Sequence, residues 1–303
     1  MTELYAAVDC GTNSVRLLVA RFEDGRLVEV DRRLHITRLG QGVDATGRFH
    51  PEALRRTLDA MRDFASQLDA LAVRHRRVVA TSAARDAANS AEFFDGVRAA
   101  LGVPAEIISG QDEAELSRLG ALRGLSGPGQ PVLAQPVLVM DIGGGSTELV
   151  LDHAVSLDVG SVRLRERFLA GDPPTRSEID AATAYLDGLL DASGIDFAAV
   201  ETWVGVGGTA TSLSALAHRM EVYDRTVVHG SVVSNQAVAA LAESLLRMPI
   251  ADVAALPTMV PGRADVICGG ALICHRVGRR LRVPMRVSEA DILDGISWGM
   301  ARM

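Results

Sequence analysis

The sequence contains no lysine; all 31 of its basic residues are arginine. That absence excludes chemistry built on a side-chain amine: a P-loop lysine, a Schiff base, a Ser–Lys pair. A phosphate bound by this chain is therefore held by guanidinium groups, hydroxyls, backbone N–H groups or a metal ion. Cysteine is scarce too. Cys10, Cys268 and Cys274 are too few for a disulfide framework and lack zinc-type spacing, which points to a reducing, cytoplasmic setting. No uncharged apolar run is long enough to span a bilayer, and Asp9 interrupts the only early apolar stretch, so neither a membrane anchor nor an export signal is expected. A net charge of −7 offers no general attraction for nucleic acid.

What is present reads as one pattern written twice. Residues 5–9 and 14–22 have the apolar, β-rich composition of strands, with a turn at 11–13 between them. A further strand is expected over 26–37, and a helix over 50–71, where Leu54, Leu58, Met61, Ala65 and Leu68 share one face. Strand 77–81, helix 83–101, strand 105–109 and helix 111–125 complete this half. Two hairpins followed by α/β crossovers imply a mixed sheet flanked by helices. Ser126-Gly127-Pro128-Gly129-Gln130-Pro131 reads as a linker. After it the opening recurs. Asp9, Gly11, Ser14 and Leu17 match Asp141, Gly143, Ser146 and Leu149 at one constant offset. Strands at 157–164 and 202–206, and helices at 178–190, 211–220, 235–247 and 264–278, fill the second half. The expectation is a duplicated α/β domain, 1–125 and 126–287, with a cleft between the halves and a C-terminal helix in 288–303 packing back on the first.

The turns carry the chemistry. Small residues at Gly11, Thr12, Asn13 and Ser14, and at Gly143, Gly144, Gly145 and Ser146, let backbone N–H groups converge on an anion. Gly11 alone is compatible with an ordinary hairpin. Three consecutive glycines between strands are costly unless something approaches the backbone closely. Asp141 and Glu148 flank the second turn as two hard oxygen donors suited to Mg²⁺ or Mn²⁺, although a turn cap and a solvated strand residue would read the same way. In the first repeat the place of Glu148 is taken by Arg16. A third cluster, Gly207, Gly208 and Thr209, joins a strand to a helix and suits a phosphate or ribose, or simply close packing. Arg85 lies in the first turn of a helix, where a cation opposes the helix dipole; an anionic partner would justify it, and pairing with Asp86 or Glu92 is the plainer alternative. Asp112, Glu113 and Glu115 open another helix, and dipole complementation explains Asp112 and Glu115.

Together these segments resemble the exopolyphosphatase/guanosine pentaphosphate phosphohydrolase (Ppx/GppA) family over nearly the whole chain. The carrying stretches are 7–17, Arg38-Leu39-Gly40-Gln41-Gly42-Val43-Asp44, the Arg85 segment, 108–114, Asp141-Ile142-Gly143-Gly144-Gly145-Ser146-Thr147-Glu148-Leu149, Gly160-Ser161-Val162-Arg163-Leu164, 205–211 and 263–267. The resemblance implies two RNase H-like domains of the actin-like ATPase superfamily, each with a mixed five-stranded sheet. It implies Glu113 as the glutamate that activates water, and Asp141 and Glu148 as metal-associated carboxylates. Asn13, Arg85, Gly143, Ser146 and Ser161 match phosphate-contacting positions.

Long family members carry an extra C-terminal helical domain, and this sequence ends soon after 288–300. The expected activity is release of the terminal phosphate from inorganic polyphosphate, of short chains by preference, with Mg²⁺ or Mn²⁺. Guanosine pentaphosphate hydrolysis, another nucleotide phosphatase or kinase activity, and a non-catalytic polyphosphate or nucleotide sensor are the alternatives. A homodimer would let Arg74, Arg76, Arg77, Arg279, Arg280 and Arg282 line a shared basic path; a solvated charged face is the other reading of those arginines.

Overall fold

The computed structural model describes residues 3–126 and 130–301; Gly127, Pro128 and Gly129 of the expected linker lie outside the described residues. The chain forms two compact units, 1–120 together with 292–303, and 121–291. In the first unit the order is β1 (Tyr5–Cys10), β2 (Ser14–Glu23), β3 (Arg26–Ile36), α1 (Val43–Thr46), α2 (Pro51–Ala70), β4 (His75–Ala80), α3 (Ser82–Asp86), α4 (Ser90–Leu101) and β5 (Ala105–Ile107). Helix α5 (Gly110–Gly124) follows and ends within the second unit. The second unit continues with β6 (Val137–Ile142), β7 (Thr147–Val150), β8 (Ala154–Leu157), α6 (Ser161–Phe168), α7 (Arg176–Asp191), β9 (Thr202–Val206) and α8 (Gly207–Ala217). Then come α9 (Arg225–Val228), β10 (Val232–Val233), α10 (Asn235–Arg247), α11 (Ile250–Ala254), α12 (Ile267–Gly278) and β11 (Met285–Val287), before α13 (Ile292–Met300) returns to the first unit.

The two sheets share one topology. The first runs β3-β2-β1-β4-β5, and the second runs β8-β7-β6-β9-β11 with β10 added at its far edge. In each, the first three strands pair antiparallel and the rest of the shared core is parallel. The mixed α/β expectation holds, and the second sheet has six strands because the two-residue β10 pairs with β11.

Strand alternation sets the layers of the first unit. Ala6, Val8, Cys10, Val15, Leu17 and Val19 face one core with Met61, Phe64 and Leu68 of α2 and Phe93 and Val97 of α4. Ala7, Leu18, Ala20 and Val79 face the other way, onto Ile292, Leu293 and Ile296 of α13. A sheet covered on both faces reads as near-continuous apolar strands, as β1 and β2 do. In the second unit the larger core gathers Leu138, Met140 and Leu149 of the sheet with Trp203 and the α7, α10 and α12 faces. Val137, Val139, Val204 and Val206 cover the other face with Ala121 and Leu125.

Two expected elements differ. The helix over 83–101 is broken between α3 and α4, because Asn89 uses both amide atoms on the Phe49 backbone and Ala88 N–H bonds Gly47 O. Residues 157–164 are not one strand. β8 stops at Leu157, and 161–164 begin α6, whose first N–H groups bond the Gly143 and Gly144 carbonyls. Three of the six arginines singled out in the sequence are paired within the chain. Arg76 bonds Asp69, Arg77 bonds Glu106, and Arg280 bonds Asp187 and Asp191, so half of the set is neutralised locally.

Ile296 is fully buried on the sheet, whereas Leu34 on edge strand β3 is 41% exposed. Ile296→Ala should cost about 2–4 kcal/mol, read as a lower urea midpoint. Leu34→Ala should shift stability by no more than about 0.5 kcal/mol. Equal effects would mean that α13 is not part of this core.

Candidate active site

All the candidate residues of the first unit lie at the carboxyl ends of its parallel strands β1, β4 and β5, where open α/β sheets place ligands. After β1 the chain turns through Gly11, Thr12 and Asn13, closed by Gly11 N–H donating to Ser14 O at 3.0 Å. Thr12 is buried, and its hydroxyl meets Ser82 Oγ, just after β4, at 2.9 Å. Asn13 Oδ1 is buried without a hydrogen-bond partner, a state that costs about 1–3 kcal/mol until it is satisfied. Asp9, the last acid of β1, is buried and clasped by Arg16 from the opposite strand position, through Nε at 3.0 Å and Nη2 at 2.7 Å. Cys10 is no nucleophile. Complete burial, and secondarily the charge of Asp9, pushes its thiol well above the usual range.

Glu113 is where the structure separates two readings of an acidic helix start. Ser109 and Asp112 cap α5 reciprocally: Asp112 N–H donates to Ser109 Oγ at 3.1 Å, and Ser109 N–H and Oγ both donate to Asp112. Glu113 takes no part in this box. It is 8% exposed, and Arg85 Nη1 reaches its Oε2 at 3.1 Å while also donating to Ile108 O at 2.9 Å. A solvated dipole-complementing acid would not be buried against a guanidinium. Arg85 thus finds its anionic partner in Glu113, not in Asp86 or Glu92, and the pair brings the ends of β4 and β5 together.

In the second unit the equivalent turn, Gly143–Ser146, is closed by Gly143 N–H donating to Ser146 O at 3.0 Å. Gly143 and Gly144 are half-buried, while Ser146 and Thr147 are buried. Asp141 and Glu148 stand directly opposite each other across β6 and β7, both buried, and Ser156 Oγ donates to Glu148 Oε1 at 2.8 Å. Like charges placed opposite each other in a sheet repel, so the pair is suited to a cation. The described residues contain no cluster of three or more His, Cys, Asp or Glu that could hold a metal. Two carboxylates match a Mg²⁺ ion, which keeps several waters and completes its octahedron with phosphate oxygens. The residues present therefore fit such an ion.

Beside them, β9 runs directly into α8 at Gly207. Gly207 has φ +78°, and a Cβ there would lie 2.7 Å from Asp141 Oδ1, so the third glycine cluster abuts the proposed metal carboxylate. Gly208 is covered by the Arg263 guanidinium, which donates to Gly208 O at 3.1 Å and to Ser212 Oγ at 2.8 Å. Thr209 is buried against Gly270 of α12. Ser161 is also buried; its hydroxyl donates to Gly143 O at 3.2 Å, placing it behind the turn. Sequence reasoning missed the roles of Arg263, Ser82 and Ser156. Arg263 and Ser82 act through contacts distant in sequence, Ser156 through the neighbouring hairpin strand, and the one available signal was the inclusion of Arg263 in a family-like stretch.

Comparison with known proteins shows the family. The Ppx/GppA phosphatase family model matches residues 18–301. Exopolyphosphatase 2 of Mycobacterium tuberculosis is 45% identical, with 98% of each chain covered. Among solved structures, an exopolyphosphatase-like protein superposes with a TM-score of 0.93 at 40% identity, covering 99% of both chains. The Aquifex aeolicus Ppx/GppA family member superposes with a TM-score of 0.83 at 29% identity, covering 100% of this chain and 98% of that one. With a family match across almost its entire length, this chain belongs to the Ppx/GppA phosphatase family.

Proposed function

We propose that the protein is an exopolyphosphatase that removes the terminal phosphate of inorganic polyphosphate, short chains by preference, by attack of water. The observation that carries the mechanism is the pairing of the buried Glu113 with the half-buried Arg85, set at the carboxyl edge of the sheet and outside the helix cap. The full-length similarity to a named exopolyphosphatase supports the substrate.

Phosphoryl transfer asks little covalent help from a protein; positioning and charge stabilisation do most of the work. The oxygen of water bonds to the terminal phosphorus, the bridging P–O bond breaks, and its electron pair leaves with the shortened chain as an anion. The proton of the attacking water passes to the Glu113 carboxylate and then to solvent. Arg85 fixes the orientation of that carboxylate through Nη1, and its remaining donors suit phosphate oxygens. Asn13, Ser146 and the turn N–H groups bind phosphate oxygens. Asp141 and Glu148 would hold Mg²⁺, which when bound offsets negative charge on the phosphoryl oxygens. In the first repeat Arg16 supplies positive charge to Asp9 instead, so a single metal site per chain is expected.

Glu113→Gln keeps size and hydrogen bonding but accepts no proton. Phosphate release from polyphosphate should fall roughly 10²–10⁴-fold, the range for losing a general base, with KM little changed. A folded Glu113→Gln protein working at close to the wild-type rate would return Glu113 to a structural role.

Metal dependence is the second test. Activity should vanish with chelator and return with Mg²⁺ or Mn²⁺, and Asp141→Asn should need more Mg²⁺ than wild type to reach its maximum. Direct Mn²⁺ titration should show one site per chain, weakened by Asp141→Asn. Full activity after exhaustive chelation would remove Asp141 and Glu148 from the metal role.

A further inference from the structure

In both units, the segment that follows the third strand of the sheet takes hold of the carbonyls of the turn. In the first unit Gly40 N–H donates to Thr12 O at 2.8 Å, and the N–H groups of Thr37 and Arg38 donate to Asn13 O at 3.1 and 2.9 Å. In the second unit Ser161 N–H donates to Gly143 O at 2.9 Å, and the N–H groups of Val162 and Arg163 donate to Gly144 O at 2.9 and 3.1 Å. Ser161 adds its hydroxyl to Gly143 O. All these turn peptides are trans. Across a trans peptide, the C=O of one residue and the N–H of the next point in opposite directions. Drawing the carbonyls of Thr12, Asn13, Gly143 and Gly144 to one side therefore turns the N–H groups of Asn13, Ser14, Gly144 and Gly145 to the other.

The contact leaves no room for a side chain. A Cβ at Gly40 would lie 2.2 Å from Thr12 Cγ2, and one at Gly160 would lie 2.5 Å from Gly144 C and O and 2.7 Å from Gly143 O. The backing segments are local neighbours of the turns but differ in kind, an irregular stretch at 37–40 and the start of α6 at 160–163. What they share is the hydrogen bond to the turn carbonyl. We propose that 37–40 and 160–163 aim the N–H groups of the two turns at phosphate oxygens, with Gly40 and Gly160 as positioning residues for substrate binding. The inference rests on the polyphosphate reading above.

Tripolyphosphate binding by calorimetry, in a Glu113→Gln background that suppresses turnover, tests it. Gly40→Ala pushes Thr12 and misdirects its peptide, so affinity should fall roughly 10- to 100-fold, the range for losing a hydrogen bond to a charged group. Thr12→Ser in the same chain deletes the clashing Cγ2 and keeps the hydroxyl that meets Ser82, so most of the affinity should return. The melting temperature should stay within a few degrees throughout. Unchanged affinity in Gly40→Ala, no recovery with Thr12→Ser, or a loss that follows unfolding would each overturn the aiming role. Failure of the Glu113→Gln parent itself to bind tripolyphosphate would instead contradict the substrate reading, and this inference with it.

Discussion

A tight turn of small residues between two buried strands leaves peptide carbonyls that need partners, because an unpaired backbone group away from water is costly. The whole arrangement around each turn answers that requirement. Thr12 and Asn13 give their carbonyls to 37–40, and Gly143 and Gly144 give theirs to the start of α6. The third strand of each sheet runs out beside the turn and delivers the segment that does this. Once the carbonyls face backwards, the N–H groups face forwards, and an anion site results from satisfying the backbone. The same requirement explains why small residues recur at 40 and 160, where the backing segment meets the turn.

Duplication supplied two such turns, and the sequence then diverged around them. In the first, the buried Asp9 has a guanidinium opposite it; in the second, Asp141 has Glu148. One is a closed ion pair, the other a pair of carboxylates suited to a divalent cation. The first unit instead carries the Arg85–Glu113 pair at the ends of β4 and β5. Both sets lie at the carboxyl edges of their parallel strands, where the chain leaves the sheet and side chains are free to vary.

Much of this was legible from residues alone. The Asp-x-Gly-x-x-Ser repeat located both turns, and apolar strands of the right length located β1, β2 and β9. Strands buried on both faces leave a strong local signal. The failures share a cause. Residues 157–164 have apolar positions that fit a strand, yet the N–H groups of Ser161, Val162 and Arg163 bond the carbonyls of a turn 18 or 19 residues earlier, and a helix starts there. Asn89 breaks a helix by bonding Phe49, a partner that no local window contains. For Glu113, composition could not tell a helix-capping acid from a buried one; the Ser109–Asp112 box and the Arg85 contact do. Arg263 lay in a family-like stretch, but nothing near it in sequence pointed to Gly208, 55 residues away.

The central claim is that these turns and this glutamate serve hydrolysis of a phosphate chain from its end. Its most direct test is orthophosphate release measured side by side from tripolyphosphate, long-chain polyphosphate, guanosine pentaphosphate and ATP, with product lengths resolved. The account predicts fastest turnover of short polyphosphate, with orthophosphate released one unit at a time and each chain shortened from its end. Equal or faster turnover of a nucleotide, or fragments arising from internal cuts, would contradict it.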